Sequence, residues 1–431
     1  MKNLIIILSV LGLSFAAFSQ PVGSNELSGQ LGSNVITTAL PFMSITPDSR
    51  AGGMGDCGTA LSPSSSSIYW NTSGLSFAKQ KSEISLSYIP WLRQLTNDIS
   101  LSYLSGYVKL NKQHTVGGSL RYFSLGEITF TDAAGNVIRN DKPSEFELTG
   151  AYAFKLSDKL SIGMNGKFAY SNLTGGLTVG GVNTKPGVVG AADLSFSYYE
   201  DKAKIGKLDG AYMFAVTLNN IGNKIAYSEL SKRDFVPMNI KIGNSYKAEF
   251  DKYNHVTFAL DLQKLLVPTP GLTKFSNGYS DLPADAYVGK STDVGVIVGM
   301  LQSFYDAPGA IERDADGNLV QNSDGSYKIK GGSRLKEELT EFNIAGGIEW
   351  WYNEVFAVRT GVFYESKNKG NRQYMNIGAS LKYNMFAFDF SYLASLNGKQ
   401  SPLANTLRFT LRLYLGGGSS KGGSEAPSSG E

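Results

Sequence analysis

The stretch Leu160–Ser171, LSIGMNGKFAYS, alternates apolar and polar side chains. One face carries Leu160, Ile162, Met164, Phe168 and Tyr170, and the other carries Ser161, Gly163, Asn165, Lys167 and Ser171. Because successive side chains of a β-strand point to opposite faces, this pattern predicts a strand with one apolar and one polar face. Residues 407–415, LRFTLRLYL, repeat the pattern.

Segments of this kind, about ten residues long, recur between residues 82 and 415 and predict fourteen strands. A soluble β-sandwich could also alternate, so the charges on the second face matter. They are spread over many strands, which suits a polar lumen with lipid outside: Glu145, Glu147, Lys167, Asp193, Lys241, Asp261, Glu349, Arg359, Asp389 and Arg412. Short turns alternate with long loops, as in bacterial barrels. We therefore predict an all-β membrane protein, a 14-stranded antiparallel outer-membrane β-barrel with an N-terminal plug.

The rest of the chain divides around this barrel. Residues 1–19 combine Lys2, an apolar run and small residues before Gln20, which predicts a cleaved signal peptide. Residues 20–81, rich in Gly and Ser, are predicted as the plug or hatch segment, and 82–415 as the barrel, with a long extracellular loop at 265–340. Residues 416–431 are predicted as a flexible polar tail. We expect the protein to lie in the bacterial outer membrane, with both termini in the periplasm.

Composition and motifs argue against several functions. The net charge is +3, with no basic cluster interleaved with aromatics, so nucleic-acid binding is not expected. The two histidines, His114 and His255, are predicted beside short turns, which leaves a Ser-His-Asp triad improbable on geometric grounds. The Asp314–Asn318 stretch begins like a calcium loop but lacks its closing Glu, and its Asp-Gly pair favours a hairpin. We predict no enzyme activity, no metal and no cofactor.

One part of the long loop differs from the rest. Ser291 and Asp293 precede it as candidate helix caps, and its apolar residues follow at helical spacing: Val294, Ile297, Val298, Leu301, Phe304 and Tyr305. This predicts a helix whose apolar face needs a cover. It either folds over the barrel mouth and packs on other loops, or meets a protein partner or a hydrophobic ligand.

The predicted plug carries a recognisable motif. Residues 34–56, NVITTALPFMSITPDSRAGGMGD, resemble the entry segment of the PorV (LptO) family of Bacteroidetes type IX secretion proteins. Residues 68–75, IYWNTSGL, are similar to the hatch motif W/Y-N-P-A-G-L of FadL-like outer-membrane transporters, with Thr72 in place of Pro. The matching plug positions are Pro47, Asp48, Ser49, Arg50, Gly52, Gly53, Gly55, Asp56, Trp70 and Asn71.

The resemblance implies a role in secretion. It implies a shuttle that binds the C-terminal signal domains of cargo leaving a SprA/Sov-type translocon and delivers them to a PorU-type sortase, in contact with membrane lipid and lipopolysaccharide. We expect the 265–340 loop to contact cargo or translocon, and residues around Asp48, Arg50 and Asp56 to brace the plug. The alternatives are a FadL-type channel for hydrophobic compounds, which needs an apolar pocket, and a lipopolysaccharide-modifying enzyme, which the histidines do not support.

Overall fold

Fourteen long strands, of nine to nineteen residues each, form the framework of the molecule. The computed structural model describes residues 35–415 except 94–95, 97, 132–133, 174–177, 180–181, 229–230, 277 and 397–404. The predicted signal peptide and polar tail lie outside these residues. The barrel strands are β1 (Ser82–Pro90), β2 (Ile99–Lys109), β3 (His114–Leu125), β4 (Ser144–Lys155), β5 (Leu160–Asn172), β6 (Gly187–Ile205), β7 (Leu208–Gly222), β8 (Asn239–Glu249), β9 (Asn254–Leu265), β10 (Phe342–Tyr352), β11 (Phe356–Tyr364), β12 (Gln373–Tyr383), β13 (Phe386–Ser395) and β14 (Thr406–Leu415).

These strands form one closed antiparallel barrel, which confirms the predicted fold. Each strand pairs with its sequence neighbours, and β1 closes the ring by pairing with both β2 and β14. The closing register places Ser82 opposite Leu415 and Tyr88 opposite Phe409. Closure satisfies the backbone groups of every strand, which an open sheet edge in lipid could not do.

The two faces of the wall are the reverse of those in a soluble protein. On β5 the apolar side chains of Ile162, Met164 and Phe168 are exposed on the outside, whereas Ser161 and Asn165 are buried inside. All ten charged residues predicted on the second face are buried within the barrel. This arrangement suits a lipid environment outside and a polar interior.

The loops define two different ends. Short turns, at 110–113, 156–159, 206–207, 250–253, 353–355 and 384–385, lie at one end, which we call the short-turn end. The long-loop end carries the longer connections, and the connection between β9 and β10 spans residues 266–341. A small hairpin, Ile128–Thr131 with Val137–Asp141, rises from the β3–β4 loop.

Helices are short and lie outside the wall strands. They are Ser49–Gly52, Ser67–Trp70, Val296–Gln302 and Ser333–Thr340, with 3-10 turns at Pro41–Ser44 and Thr72–Phe77. Within the described residues, none is long and apolar enough to cross a membrane. The predicted loop helix exists, but its predicted caps are wrong.

The loop helix begins later than its apolar spacing suggested. Its N-cap is Gly295, which has no side chain to donate or accept. Asp293 instead lies 3.5 Å from the Lys224 Nζ, and the Ser291 carbonyl accepts a bond from Gln302 Nε2 at 2.9 Å. Both residues are therefore used in loop contacts before the helix starts.

Candidate functional site

Residues 35–81, which we call the inner segment, run through the lumen from end to end. At the long-loop end the Ala39 N–H donates to the Phe235 carbonyl at 2.8 Å. At the short-turn end the Lys109 N–H donates to the Lys81 carbonyl at 2.8 Å, just before β1 begins. The described part of the chain thus enters the barrel at the long-loop end. The predicted periplasmic position of both termini concerns residues beyond it and stays a prediction.

The long-loop end of the inner segment is seated by apolar packing. Leu40, Phe42 and Met43 are buried in one cluster with residues from the strand ends. The Phe42 ring stacks on Phe123 with a centroid distance of 6.3 Å. The Arg121 side chain, fully buried, donates from Nη1 to the Met43 carbonyl at 2.8 Å. This end of the lumen is filled by side chains rather than left as an apolar binding pocket.

A chain of buried charges holds the middle of the inner segment. Arg50 binds Glu349 through both Nε and Nη2, at 3.0 and 2.7 Å. Glu349 also lies 3.1 Å from Arg359 Nε, and Arg359 Nη1 lies 3.1 Å from Asp389. Asp389 in turn binds Arg412 at 2.7 Å. Two parallel donors of a guanidinium fix a carboxylate in distance and in angle, so Arg50 sets the position of its helix against the wall.

A second group of contacts with the wall forms further along the inner segment, at Asp56. Asp56 lies 3.0 Å from Arg408 Nη1 and accepts the Tyr374 hydroxyl at 2.5 Å. Asp48 was expected to brace the wall as well, but its bonds stay within the inner segment. Its carboxylate caps the helix at the Ala51 N–H (2.9 Å) and accepts the indole N–H of Trp70 at 2.7 Å.

Glycines let the backbone of the inner segment touch the wall. Gly55 has φ +74°, and a Cβ there would lie 2.5 Å from the Val362 backbone. On the facing strand, a Cβ on Gly361 would lie 2.0 Å from the Met54 carbonyl carbon. Gly52 and Gly53 face arginine side chains in the same way. The run Gly52–Gly55 is therefore a turn in close contact with β11 and its neighbours.

The hatch-like residues make further contacts between the inner segment and the barrel wall. Asn71 Nδ2 donates to the Thr59 carbonyl and to Ser197 Oγ, both at 2.9 Å. Thr72, which stands where the hatch motif has Pro, donates its hydroxyl to Asn165 Oδ1 at 2.7 Å. The Trp70 ring lies under Lys241 Nζ at 4.3 Å from the centroid. Pro47 and Ser49 are buried in the same segment.

The external helix Val296–Gln302 presents the opposite chemistry. Its inner side packs on the long-loop cluster through Val294, Val296 and Met300. The outer side of the helix and the residues just after it expose five of the six predicted apolar residues, by 45 to 60%: Ile297, Val298, Leu301, Phe304 and Tyr305. The helix thus packs over the barrel mouth with one face, as the first interpretation states, and leaves another face uncovered. Contact of that face with a protein partner or a hydrophobic ligand stays a prediction. We call the uncovered residues the apolar face.

A network of carboxylates fastens the long loop to the barrel rim, and sequence reasoning missed it. Glu341 accepts Lys369 Nζ at 2.9 Å and also binds Lys264, which is fully buried. Glu338 accepts the Ala307 N–H at 2.8 Å, and Glu337 accepts Lys369 at 2.8 Å. All three carboxylates come from the segment 334–341, RLKEELTE, whose Leu, Lys and Glu content is that of a helix former.

One titratable group sits beneath this network. Asp306 Oδ2 accepts the Thr269 N–H at 3.0 Å and Gln302 Nε2 at 3.3 Å. Burial, with a smaller contribution from Glu341 and Glu338, raises the pKa of Asp306 to about 6. The helix carrying the apolar face is therefore tied, through Gln302, to a carboxylate that titrates close to neutral pH.

The described residues hold few other groups that could support catalysis or metal binding. They contain no group of three or more His, Cys, Asp or Glu arranged to hold a metal ion. The Asp314 stretch forms a turn inside a small β excursion, with bridges Ile311–Ile329 and Arg313–Leu319. His114 Nδ1 lies 2.7 Å from the Tyr152 hydroxyl, and His255 lies 3.8 Å from Glu354. Cys57 is buried and unpaired.

The barrel, its inward charges and its outward apolar band define an outer-membrane β-barrel whose lumen holds the N-terminal part of its own chain. The family model described as type IX secretion system protein PorV matches residues 28–272, more than half of the sequence. The chain belongs to the PorV family. It is therefore an outer-membrane component of the type IX secretion system.

Several solved structures are similar, all at low sequence identity. The toluene transporter TbuX of Ralstonia pickettii is 10% identical, with 85% of this chain and 96% of that chain covered and a TM-score of 0.41. The toluene transporter TodX of Pseudomonas putida is 10% identical, with 84% and 95% covered and a TM-score of 0.43. A FadL homologue of Pseudomonas aeruginosa is 9% identical, with 89% and 99% covered and a TM-score of 0.41. No curated protein sequence is similar enough to count as a match.

Proposed function

We propose that this protein is a non-enzymatic shuttle of type IX secretion. It binds the C-terminal signal domains of cargo leaving the SprA/Sov-type translocon and delivers them to the PorU-type sortase at the cell surface. The long-loop end faces the cell exterior, since bacterial barrels keep their longer loops outside. Outer-membrane lipid and lipopolysaccharide surround the wall, and the inner segment acts as the plug.

The apolar face carries this proposal. Leu301 and Phe304 are 58% and 45% exposed on a loop that is fastened to the rim by buried ion pairs. Contiguous exposed apolar side chains are costly in water and mark surfaces that contact a partner. An outward-facing apolar helix is the kind of element that a folded signal domain or a translocon loop could cover.

The interior supports a shuttle better than a channel for hydrophobic compounds. Such a compound needs a pocket lined mainly by apolar side chains. The cavity at the short-turn end is instead lined by charged groups that include Arg50, Glu349 and Arg412. The inner segment fills the middle of the lumen with ion pairs that are already satisfied.

The test is a double substitution on the apolar face. Leu301→Asp with Phe304→Asp should abolish attachment of cargo to the cell surface, because two charges oppose burial against any apolar partner surface. Attachment is measured by surface labelling of whole cells, and barrel folding by the heat-dependent migration of the protein in gels.

The matched control lies on another loop. Val137 and Ile138 are 64% and 59% exposed on the small hairpin of the β3–β4 loop. Val137→Asp with Ile138→Asp adds the same charges at residues that are slightly more exposed than Leu301 and Phe304, and it should leave attachment unchanged. If the Leu301/Phe304 variant folds and still attaches cargo, the apolar face is not the binding surface.

A further inference from the structure

The long loop contains a groove between two extended arms. The first arm is residues 286–289, held by a bridge between Leu272 and Val288. The second arm is residues 325–330, held by bridges from Ile311 to Ile329 and from Gln321 to Tyr327. The arms line an open groove of ≈ 830 Å³, a volume within the range of ligand sites in proteins. We call it the loop groove.

The walls of the loop groove are preorganised. Val288, Tyr327 and Ile329 pack on a small apolar core of Leu272, Leu282 and Ile311 inside the loop. Arg313 pairs with Asp281 at 2.8 Å and ties the segment beside the second arm, which contains Ile311, to the segment preceding the first arm. Both arms are therefore held by the folded loop itself.

Each arm uses only one of its two edges. On the second arm, the Lys328 N–H donates to the Val320 carbonyl at 2.9 Å, and the Lys328 carbonyl accepts the Glu312 N–H at 2.8 Å. On the first arm, Val288 exchanges bonds of 2.8 and 2.9 Å with Leu272. Neighbouring residues of an extended chain direct their backbone groups to opposite edges. The backbone groups of the residues next to Val288 and Lys328 therefore point to the opposite edge of each arm.

Those intervening residues have free backbone donors. Among the described residues, no partner accepts the N–H of Tyr287, Gly289, Tyr327 or Ile329. A row of free backbone groups on a strand edge is a template for another strand. An extended peptide satisfies such groups along its whole length, which an apolar compound cannot do.

The charge of the loop groove indicates which peptide fits. Its rim carries Lys328, Lys330 and Arg334. Lys328 is paired with Glu312 at 3.1 Å, whereas Lys330 and Arg334 form no ion pair within the described residues. Acidic side chains on the incoming strand would supply the missing partners, and Arg in particular favours a carboxylate.

We propose that the loop groove takes an extended, acidic segment of a secreted cargo domain as an added β-strand. This rests on the proposed function, which supplies the cargo, and adds the mode of recognition: backbone pairing along the arms, with carboxylates on Lys330 and Arg334. The apolar face and the loop groove then form two parts of one receiving loop.

The first test removes one backbone donor, and its control accounts for the change of side chain at the same position. Ile329→Pro deletes an N–H that has no partner in the fold, at a strand edge where Pro is tolerated. Ile329→Thr is the matched control, since it keeps the N–H and shortens the side chain. Binding of a fluorescein-labelled cargo signal domain to the full protein in detergent should weaken about tenfold for Ile329→Pro and stay within about twofold for Ile329→Thr.

The second test addresses charge. Lys330→Glu with Arg334→Glu should weaken binding about tenfold, whereas Lys202→Glu with Lys207→Glu at the short-turn end should not. An unlabelled decapeptide of alternating Thr and Val with Asp at both ends should compete, and its version with Lys at both ends should not. Equal binding by all variants together with no competition overturns the inference.

Failure of the inference and of the proposed function are separable. If the signal domain binds the unaltered protein, and binds the Ile329→Pro and charge-reversed variants equally well, the loop groove is not its binding site. The proposed shuttle function is then unaffected. If the signal domain does not bind the unaltered protein, the shuttle is wrong. Direct binding of the labelled Asp peptide, sensitive to Ile329→Pro, then decides the groove on its own.

Discussion

The inner segment and the long loop are both fastened by buried ion pairs, yet they end in opposite surfaces. The inner segment binds Glu349 and Arg408 of the wall and leaves its polar side chains paired inside the lumen. The long loop binds Lys264 and Lys369 of the rim and leaves apolar side chains uncovered. The first region is built to stay in place, and the second is built to be contacted.

The largest effect should come from breaking the ion pair between Arg50 of the inner segment and Glu349 of the wall. Glu349→Gln leaves Arg50 without its carboxylate and Arg359 with Asp389 alone, and loss of one partner of a buried pair costs about 3 to 5 kcal/mol. We expect the backbone amides of residues 49–56 to exchange hydrogen much faster, as measured by mass spectrometry. The β-barrel strands far from Glu349 should keep their protection.

An exposed pair gives the control for that prediction. Lys204 and Asp209 form an ion pair at 3.1 Å at the short-turn end, with both side chains largely exposed. Asp209→Asn should change exchange little, because exposed pairs contribute at most about 1 kcal/mol. Unchanged exchange at 49–56 in the Glu349→Gln variant would show that the inner segment is not held by this network.

The smallest effect concerns the pH response of the long loop, in which Asp306 lies. The pKa of Asp306 is raised to about 6 in the fold, so the folded loop binds a proton that the unfolded chain releases. The loop should therefore be more stable at pH 5 than at pH 7, and lose that stability as the pH rises through about 6. Because solvent screens part of the site, the difference should be about 1 kcal/mol.

Asp306→Asn isolates this group. The amide keeps an oxygen to accept the Thr269 N–H but cannot titrate. Proteolysis of the long loop between pH 5 and pH 7 should depend on pH in the unaltered protein and lose most of that dependence in the variant. An identical pH dependence in both proteins would assign it to another group.

The two regions also differ in how far sequence predicts them. Alternation with period two is local, so it predicted fourteen strands and the inward position of Glu349 and Asp389 from short windows. The partner of Glu349 was not predictable, because Arg50 lies 299 residues away in sequence and only barrel closure brings them together. The motif around Arg50 indicated a packed segment, but not which side chains bind the wall.

The loop shows why the remainder was missed. Helical spacing predicted the apolar face, but the N-cap of the helix is Gly295, which has no side chain to make a capping bond, rather than Ser291 or Asp293. The helix Ser333–Thr340 has only two apolar residues, Leu335 and Leu339, which are too few for pattern reading to detect it. Its carboxylates act through Lys264 and Lys369, which lie in other parts of the chain.

Hydrogen exchange of the full protein, with and without a bound cargo signal domain, tests the comparison most directly. If cargo is received above an unmoving inner segment, residues 296–305 gain protection on binding, and residues 49–56 exchange at the same rate in both states. Faster exchange at 49–56 on cargo binding, or no added protection at 296–305, would contradict the account and return the function to the lumen.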